Sequence, residues 1–364
     1  MSVLAAIGIL ALLIVVHELG HFLAARLQGI YADRFSIGFG PVLLRYQGKQ
    51  TEYALRALPL GGYVGFPDDD PDSDIDPRDP NLLRNRPILD RAIVISAGVL
   101  ANLLFAFLIL VTQVSVLGVP DGIDPRPGIL VPQVMGSSSV AAKAGIQAGD
   151  VILAVNGEPL PSSAPSVKEL VQRIKTSPDQ PLRFEVQRGA QSFDVTIVPE
   201  RAGEEGRIGV QLAPNGQFTY RRPHGFGEIF RLASNQFEQI LRQTLQGFGQ
   251  LVTRFGETAA QVSGPVKIVE WGANLAASDS GSLFLFAALI SVNLAVINIL
   301  PLPALDGGQL LLLVFEALRG GRPLPTKVQE GFMQTGLVLL LGLGAFLIVR
   351  DTTQLAWVQQ LLLQ

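Results

Sequence analysis

The chain has 364 residues, of which 48% are hydrophobic and only 16% charged, against roughly 25% charged in soluble globular proteins. With a mean hydropathy of +0.36, a wholly soluble protein is excluded, and a net charge of −3 leaves no basic footprint for nucleic acid. The absence of cysteine removes disulfides, thiolate ligands and thiol nucleophiles, so any metal must be held by His, Asp or Glu.

Residues 3 to 25 form the first of four stretches able to span a bilayer, which takes about 20 apolar residues rising about 1.5 Å each. The others run near 92 to 117, 283 to 304 and 332 to 349. The first opens like a secretion signal but lacks a basic leading region and a clear cleavage site, and its second half carries His17, Glu18 and His21. It therefore reads as a retained span. Thr51 to Phe66 mixes β-branched and aromatic residues with Pro59 and Gly61-Gly62, which suits a curved β-hairpin. Two placements stay open: packed on the cytoplasmic side, or dipping toward the membrane as a sheet edge that offers backbone hydrogen bonds to an extended substrate. The acid- and proline-rich residues 68 to 80 read as a solvated linker.

Residues 128 to 213 alternate apolar and polar positions, with one helical stretch near 166 to 176, and predict an inserted β-rich domain. Within it, Ala144-Gly145-Ile146-Gln147-Ala148-Gly149-Asp150-Val151-Ile152 followed by Val155-Asn156-Gly157 resembles a PDZ domain, a fold that takes peptide ligands by strand addition. Gly206-Arg207-Ile208-Gly209 is either the carboxylate-cradling loop of a permuted version or a plain hairpin strand. Residues 225 to 255 have the periodicity of an amphipathic helix, lying on the membrane or packed on the spans. Basic residues between spans one and two and between spans three and four place both termini, and the segment from 118 to 282, on the non-cytoplasmic side. The expected divisions are 1–117, the PDZ-like 118–215, an amphipathic helical linker 216–282, and 283–364. The fold class is thus an α-helical polytopic membrane protein with four transmembrane helices, a membrane-associated β-hairpin and a β-rich insertion.

The chemistry lies in His17-Glu18-Leu19-Gly20-His21. Helical residues i and i+4 are about 40° apart in projection and about 6 Å apart along the axis, so both imidazoles reach one ion and Glu18 reaches a water beside it. Each ionisable group inside a bilayer costs about 2.5 kcal/mol or more, so three within five positions need compensation, which a divalent ion supplies. A tetrahedral site then lacks one protein ligand. Asp306 is the only acid between Asp279 and Glu316, and it follows Pro301 and Pro303, which break the helix beside it. The alternative for Asp306 is a helix cap.

Together the His-Glu-Leu-Gly-His motif and Asn298-Ile-Leu-Pro-Leu-Pro-Ala-Leu-Asp306-Gly resemble the site-2 proteases, intramembrane zinc metalloproteases whose bacterial type cleaves anti-sigma factors and which have chloroplast relatives. The likeness covers nearly the whole chain, including Gly61-Gly62-Tyr63-Val64, Ala101-Asn102 and Ser263-Gly264-Pro265. It implies that His17, His21 and Asp306 bind zinc, that Glu18 is the general base, and that Asn293 and Asn298 hold the substrate backbone. It further implies single-span membrane substrates, a peptide or protein ligand at the PDZ-like domain, contact with lipid, and residence in a bacterial inner membrane or a chloroplast membrane. Enterobacterial members carry two tandem PDZ domains, whereas one is evident here. The competing readings are a non-catalytic membrane scaffold and a metal transporter.

Overall fold

The computed structural model describes residues 2–70, 73–135, 139–254, 256, 262–278 and 280–353. These form two compact units, Met1–Leu117 with Pro223–Gln364, and Gly118–Arg222.

The first unit is built on helices. Four are long and apolar enough to cross a membrane: Val3–Leu27, Ile88–Leu117, Gly281–Ile299 and Thr326–Thr353. They belong to α1 (Ser2–Leu27), α2 (Ile88–Leu117), α7 (Ser280–Ile299) and α9 (Thr326–Thr353). The third span is shorter at its C-terminal end than the sequence implied: the helix stops at Ile299 because Pro301 and Pro303 cannot continue its hydrogen bonding. The fourth is longer at both ends. Helices α1 and α2 cross closely at Gly20, where a Cβ would lie 2.5 Å from the Ala97 carbonyl oxygen, so any side chain there would force the pair apart.

The amphipathic stretch is helix α5 (Phe226–Thr253), and it packs on the spans. Ala233 and Ile240 share a buried core with Ala106 and Leu110 of α2 and Ala288 and Val292 of α7. A further helix, α6 (Pro265–Ser278), lies within the segment expected to be a linker. Its start is held from α9: fully buried Asp351 accepts from the Lys267 N–H, and a side chain on Gly264 would collide with the Asp351 carboxylate. The remaining helix, α8 (Asp306–Leu318), carries Glu316, which pairs with Arg91 at the start of α2 in a mostly buried ion pair.

Strands β1 (Arg34–Gln47) and β2 (Glu52–Gly65) each bend sharply enough to supply two segments of one small sheet. Residues 42–47 and 52–56 pair antiparallel, residues 34–37 run parallel to 52–55, and residues 62–65 pair antiparallel with 34–37. Segment 62–65 is thus an outer edge. At the opposite edge, Leu43, Leu44 and Tyr46 are 62%, 67% and 69% exposed, an apolar rim that water does not favour. Three acids of the next loop are engaged, Asp68 pairing with Arg84, Asp70 with Arg34, and Asp79 accepting from Tyr31, whereas Asp74 and Asp76 are exposed as expected for a solvated linker.

The second unit opens with β3 (Val119–Val134), followed by α3 (Val140–Lys143), β4 (Val151–Val155), β5 (Glu158–Pro159), α4 (Ala164–Lys175), β6 (Leu182–Arg188), β7 (Gln191–Ile197), β8 (Glu200–Ala202), β9 (Glu205–Arg207) and β10 (Val210–Arg221). Its main sheet has the order β10-β3-β4-β6-β7, with β5 paired to β4. The unit closes at Arg222, beyond the expected 215, because β10 continues to Arg221 in antiparallel register with the first residues of β3. Phe184, Val186, Ile152 and Leu170 centre its core. Asp150, fully buried, accepts from the Gln147 N–H at 2.8 Å and from Arg188, which ties the turn before β4 to β6. Gly206-Arg207 ends the β8–β9 hairpin, and the Ile208 and Gly209 carbonyls accept from Ala141 and Met135.

Candidate metal centre

Helical geometry puts His17 and His21 on one face of α1, and the turn after α7 brings Asp306 to them. Ala304 adopts φ 67°, a conformation that strains a non-glycine residue by about 1 kcal/mol or more, and this redirects the chain after Pro303. Gly307 and Gly308 let α8 begin against that turn: a Cβ on either would stand 2.2 Å from the carbonyl oxygens of Ile299 and Leu300 or of Leu302. Asp306 does not cap α8. Leu305 is the N-cap, and the Asp306 carboxylate turns to the histidines.

The three ligand atoms make a small triangle. His17 Nε2 and His21 Nε2 are 3.2 Å apart, and Asp306 Oδ2 lies 3.2 Å from the first and 3.4 Å from the second. A tetrahedral zinc ion with ligands at about 2.0–2.1 Å sets its ligand atoms about 3.3–3.4 Å apart. His21 Nδ1 donates to the Val94 carbonyl at 2.8 Å, so the neutral ring turns a bare Nε2 lone pair into the triangle. Asp306 Oδ2 is buried without a well-formed hydrogen bond. Two lone pairs and a carboxylate at this separation repel one another unless a cation joins them. On this side α2 comes close enough that only glycine fits: a Cβ on Gly98 would lie 2.3 Å from His21 Nε2 and 2.7 Å from His17 Cε1. The residues fit zinc.

The other expected site residues differ in placement. Glu18 lies beside the sheet edge, where a Cβ on Gly62 would stand 3.1 Å from its Cγ. Asn298 Nδ2 lies 3.1 Å from His17 Nε2, within the cluster. Asn293 is not brought to the triangle; its amide donates to the Leu289 carbonyl of its own helix at 2.9 Å. Sequence reasoning assigned no role to Val94, Gly98 and Asn102, which line the face of α2 behind the histidines. A signal existed in Asn102, the only polar side chain between Ser96 and Thr112 in an apolar span.

Comparison with known proteins agrees with this chemistry. Residues 5–343 match the model of peptidase family M50. A protein of Nostoc sp. (strain PCC 7120) assigned as a zinc metalloprotease is 60% identical, over 99% of this chain and 100% of its own. The chloroplastic membrane metalloprotease ARASP of Arabidopsis thaliana is 48% identical over 99% of this chain and 81% of its own. Protease RseP of Yersinia pestis is 32% identical across 449 aligned positions that take in 95% of this chain and 97% of its own. With His17 and His21 of the first span meeting Asp306 in a His2Asp cluster and the family match over nearly its full length, the chain belongs to peptidase family M50, the site-2 proteases, and is a zinc metalloprotease.

Proposed function

We propose that the protein is an intramembrane endopeptidase that cleaves the spans of single-span membrane proteins, such as anti-sigma factors, in regulated proteolysis. The observation that carries this reading is the coincidence of three things around α1: a metal-sized triangle, an adjacent carboxylate, and an outer sheet edge beside that carboxylate. His17, His21 and Asp306 would hold zinc, which when bound polarises a scissile carbonyl and acidifies a water. Glu18 takes the proton from the attacking water and returns it to the leaving amine. The Asn298 amide, aimed into the cluster, donates to the peptide group under attack; Asn293, with one N–H on the Leu289 carbonyl, keeps a second N–H and its oxygen for the substrate backbone.

A helical substrate hides its carbonyls in its own hydrogen bonds. Segment 62–65 presents backbone groups beside Glu18, so an unwound substrate strand is held there in reach of the base. The exposed apolar rim of the same sheet supports its insertion into the membrane surface. In the β-rich unit, β10 is an outer strand and α4 packs beside it, the arrangement in which a PDZ-like fold takes an extended peptide between strand and helix. We assign this unit to the non-cytoplasmic side, from the distribution of basic residues, and the protein to a bacterial inner membrane or a chloroplast membrane.

The test is cleavage of a single-span substrate reconstituted with the protein in liposomes. Wild type cuts within the span, and the Glu18→Gln protein, with zinc content verified, does not. A scaffold or a transporter would be indifferent to that substitution, and equal processing by both proteins would reject the protease assignment of this site.

A further inference from the structure

Behind the triangle, one face of α2 meets both imidazoles. Val94, Gly98 and Asn102 follow at intervals of four, so they stack on that face. The Val94 carbonyl accepts from His21 Nδ1, Gly98 has no Cβ to collide with the two imidazoles, and the Asn102 side-chain amide, placed with Nδ2 foremost, lies 3.2 Å from His17 Nδ1. Asn102 is fully buried, and its backbone carbonyl accepts from Ser291 Oγ at 2.8 Å, which fixes α2 against α7 at this level.

The side-chain amide of Asn102 has two orientations related by a half-turn. With Nδ2 toward the imidazole, His17 Nδ1 must accept, the ring proton moves to Nε2, and Nε2 can no longer ligate a metal. Its Oδ1 is then buried with no donor. With Oδ1 toward the imidazole, His17 Nδ1 donates, and the Nε2 lone pair is free to face His21 and Asp306. Only the second orientation makes the two histidines equivalent, each donating from Nδ1 to an oxygen of α2.

We propose that Asn102 is a positioning residue for the metal centre, its side-chain oxygen holding His17 in the Nδ1–H tautomer as the Val94 carbonyl holds His21. This rests on the reading of His17, His21 and Asp306 as zinc ligands. Outer partners of metal-bound histidines contribute about 10- to 100-fold to metal affinity. Asn102→Leu, similar in volume and unable to accept, should lower zinc affinity by that factor, measured by chelator competition on the full-length protein in detergent. Asn102→Asp keeps an acceptor at the same place and should restore most of it.

Nitrogen NMR of the zinc-free, histidine-labelled protein reads the tautomer directly. His17 should be protonated at Nδ1 in the wild type and should shift toward Nε2–H in Asn102→Leu, while His21 stays unchanged. A Co2+-loaded sample should show the intense visible bands of a tetrahedral site in the wild type and weaker bands in Asn102→Leu. Wild-type affinity in Asn102→Leu would overturn the proposal, as would an unchanged His17 tautomer in that variant if it loses zinc, since the loss would then be merely structural. His17→Ala separates the two levels of inference. Zinc retained by His17→Ala rejects the ligand set, whereas zinc lost by His17→Ala but kept by Asn102→Leu rejects only the role of Asn102.

Discussion

Replacing Glu18 with Gln keeps the side chain's length and hydrogen-bonding span but removes its ability to carry a proton. Zinc should therefore stay bound in Glu18→Gln while the cleavage rate falls by about 10²-fold or more, measured as turnover per zinc. The complementary change is His17→Ala or Asp306→Ala, which should abolish zinc binding in elemental analysis of the purified protein. Gly98→Ala tests the close approach of α2 to the imidazoles. In an ordinary helix this exchange is favourable by about 1 kcal/mol, yet here the new methyl would stand 2.3 Å from His21 Nε2. Because the methyl must displace an imidazole or part α2 from α1, we expect zinc affinity to fall further than in an α2 variant of equal thermal midpoint substituted away from the histidines, a difference that general destabilisation does not produce. The HExxH spacing and Asp306 were legible because one helix face and one isolated acid carry them. The parts played by Gly98 and Val94 were not, because they depend on which face of α2 meets α1, a register that no local pattern in either helix encodes.

At the level of single elements, the small sheet is the part whose geometry exceeds its sequence signal. Thr51 to Phe66 reads as β from its residue types, but residues 34–47, interrupted by Gly38, Gly40 and Pro41, show no clean alternation, and their partner role follows only from the fold. Gly62 joins this sheet to the chemistry: a Cβ there would meet the Ser36 carbonyl oxygen at 2.9 Å as well as the Glu18 stem. Gly62→Ala should leave zinc in place and lower kcat/KM about 10- to 100-fold, the scale of misplacing a reacting group by about 1 Å. Substrate helices supply the reciprocal test. Unwinding a Leu- and Ala-rich span in a membrane leaves polar groups unsatisfied at several kcal/mol, so Gly, Pro or Asn introduced near the scissile bond should raise cleavage in liposomes and Leu in their place should reduce it. Equal rates across that series would show that the substrate arrives already extended. Helix α5 was legible as amphipathic, while its choice of the spans over the membrane surface came from the small residues Ala106, Ala233 and Ala288, which allow close packing.

Considered as a whole, the chain assigns its proposed chemistry to one unit, since His17, His21 and Asp306, the proposed ligands, and Glu18, the proposed base, all belong to the helical unit. Replacing residues 119–221 with a short flexible linker should give a protein that folds, binds zinc and cleaves short or pre-trimmed substrates, with altered selection among longer ones. Such a protein with full zinc content and no activity on any substrate would show that the insertion takes part in cleavage itself. The break points for that experiment come from the structure: Val119 pairs with Arg221, and Gly118 sits so close to the Arg221 carbonyl that a Cβ would lie 2.5 Å away. The insertion therefore leaves and rejoins its host at a single doorway. Heredity can work on such a doorway freely: a module whose two ends already touch can be traded, trimmed or doubled by recombination while the distance its host must bridge stays the same.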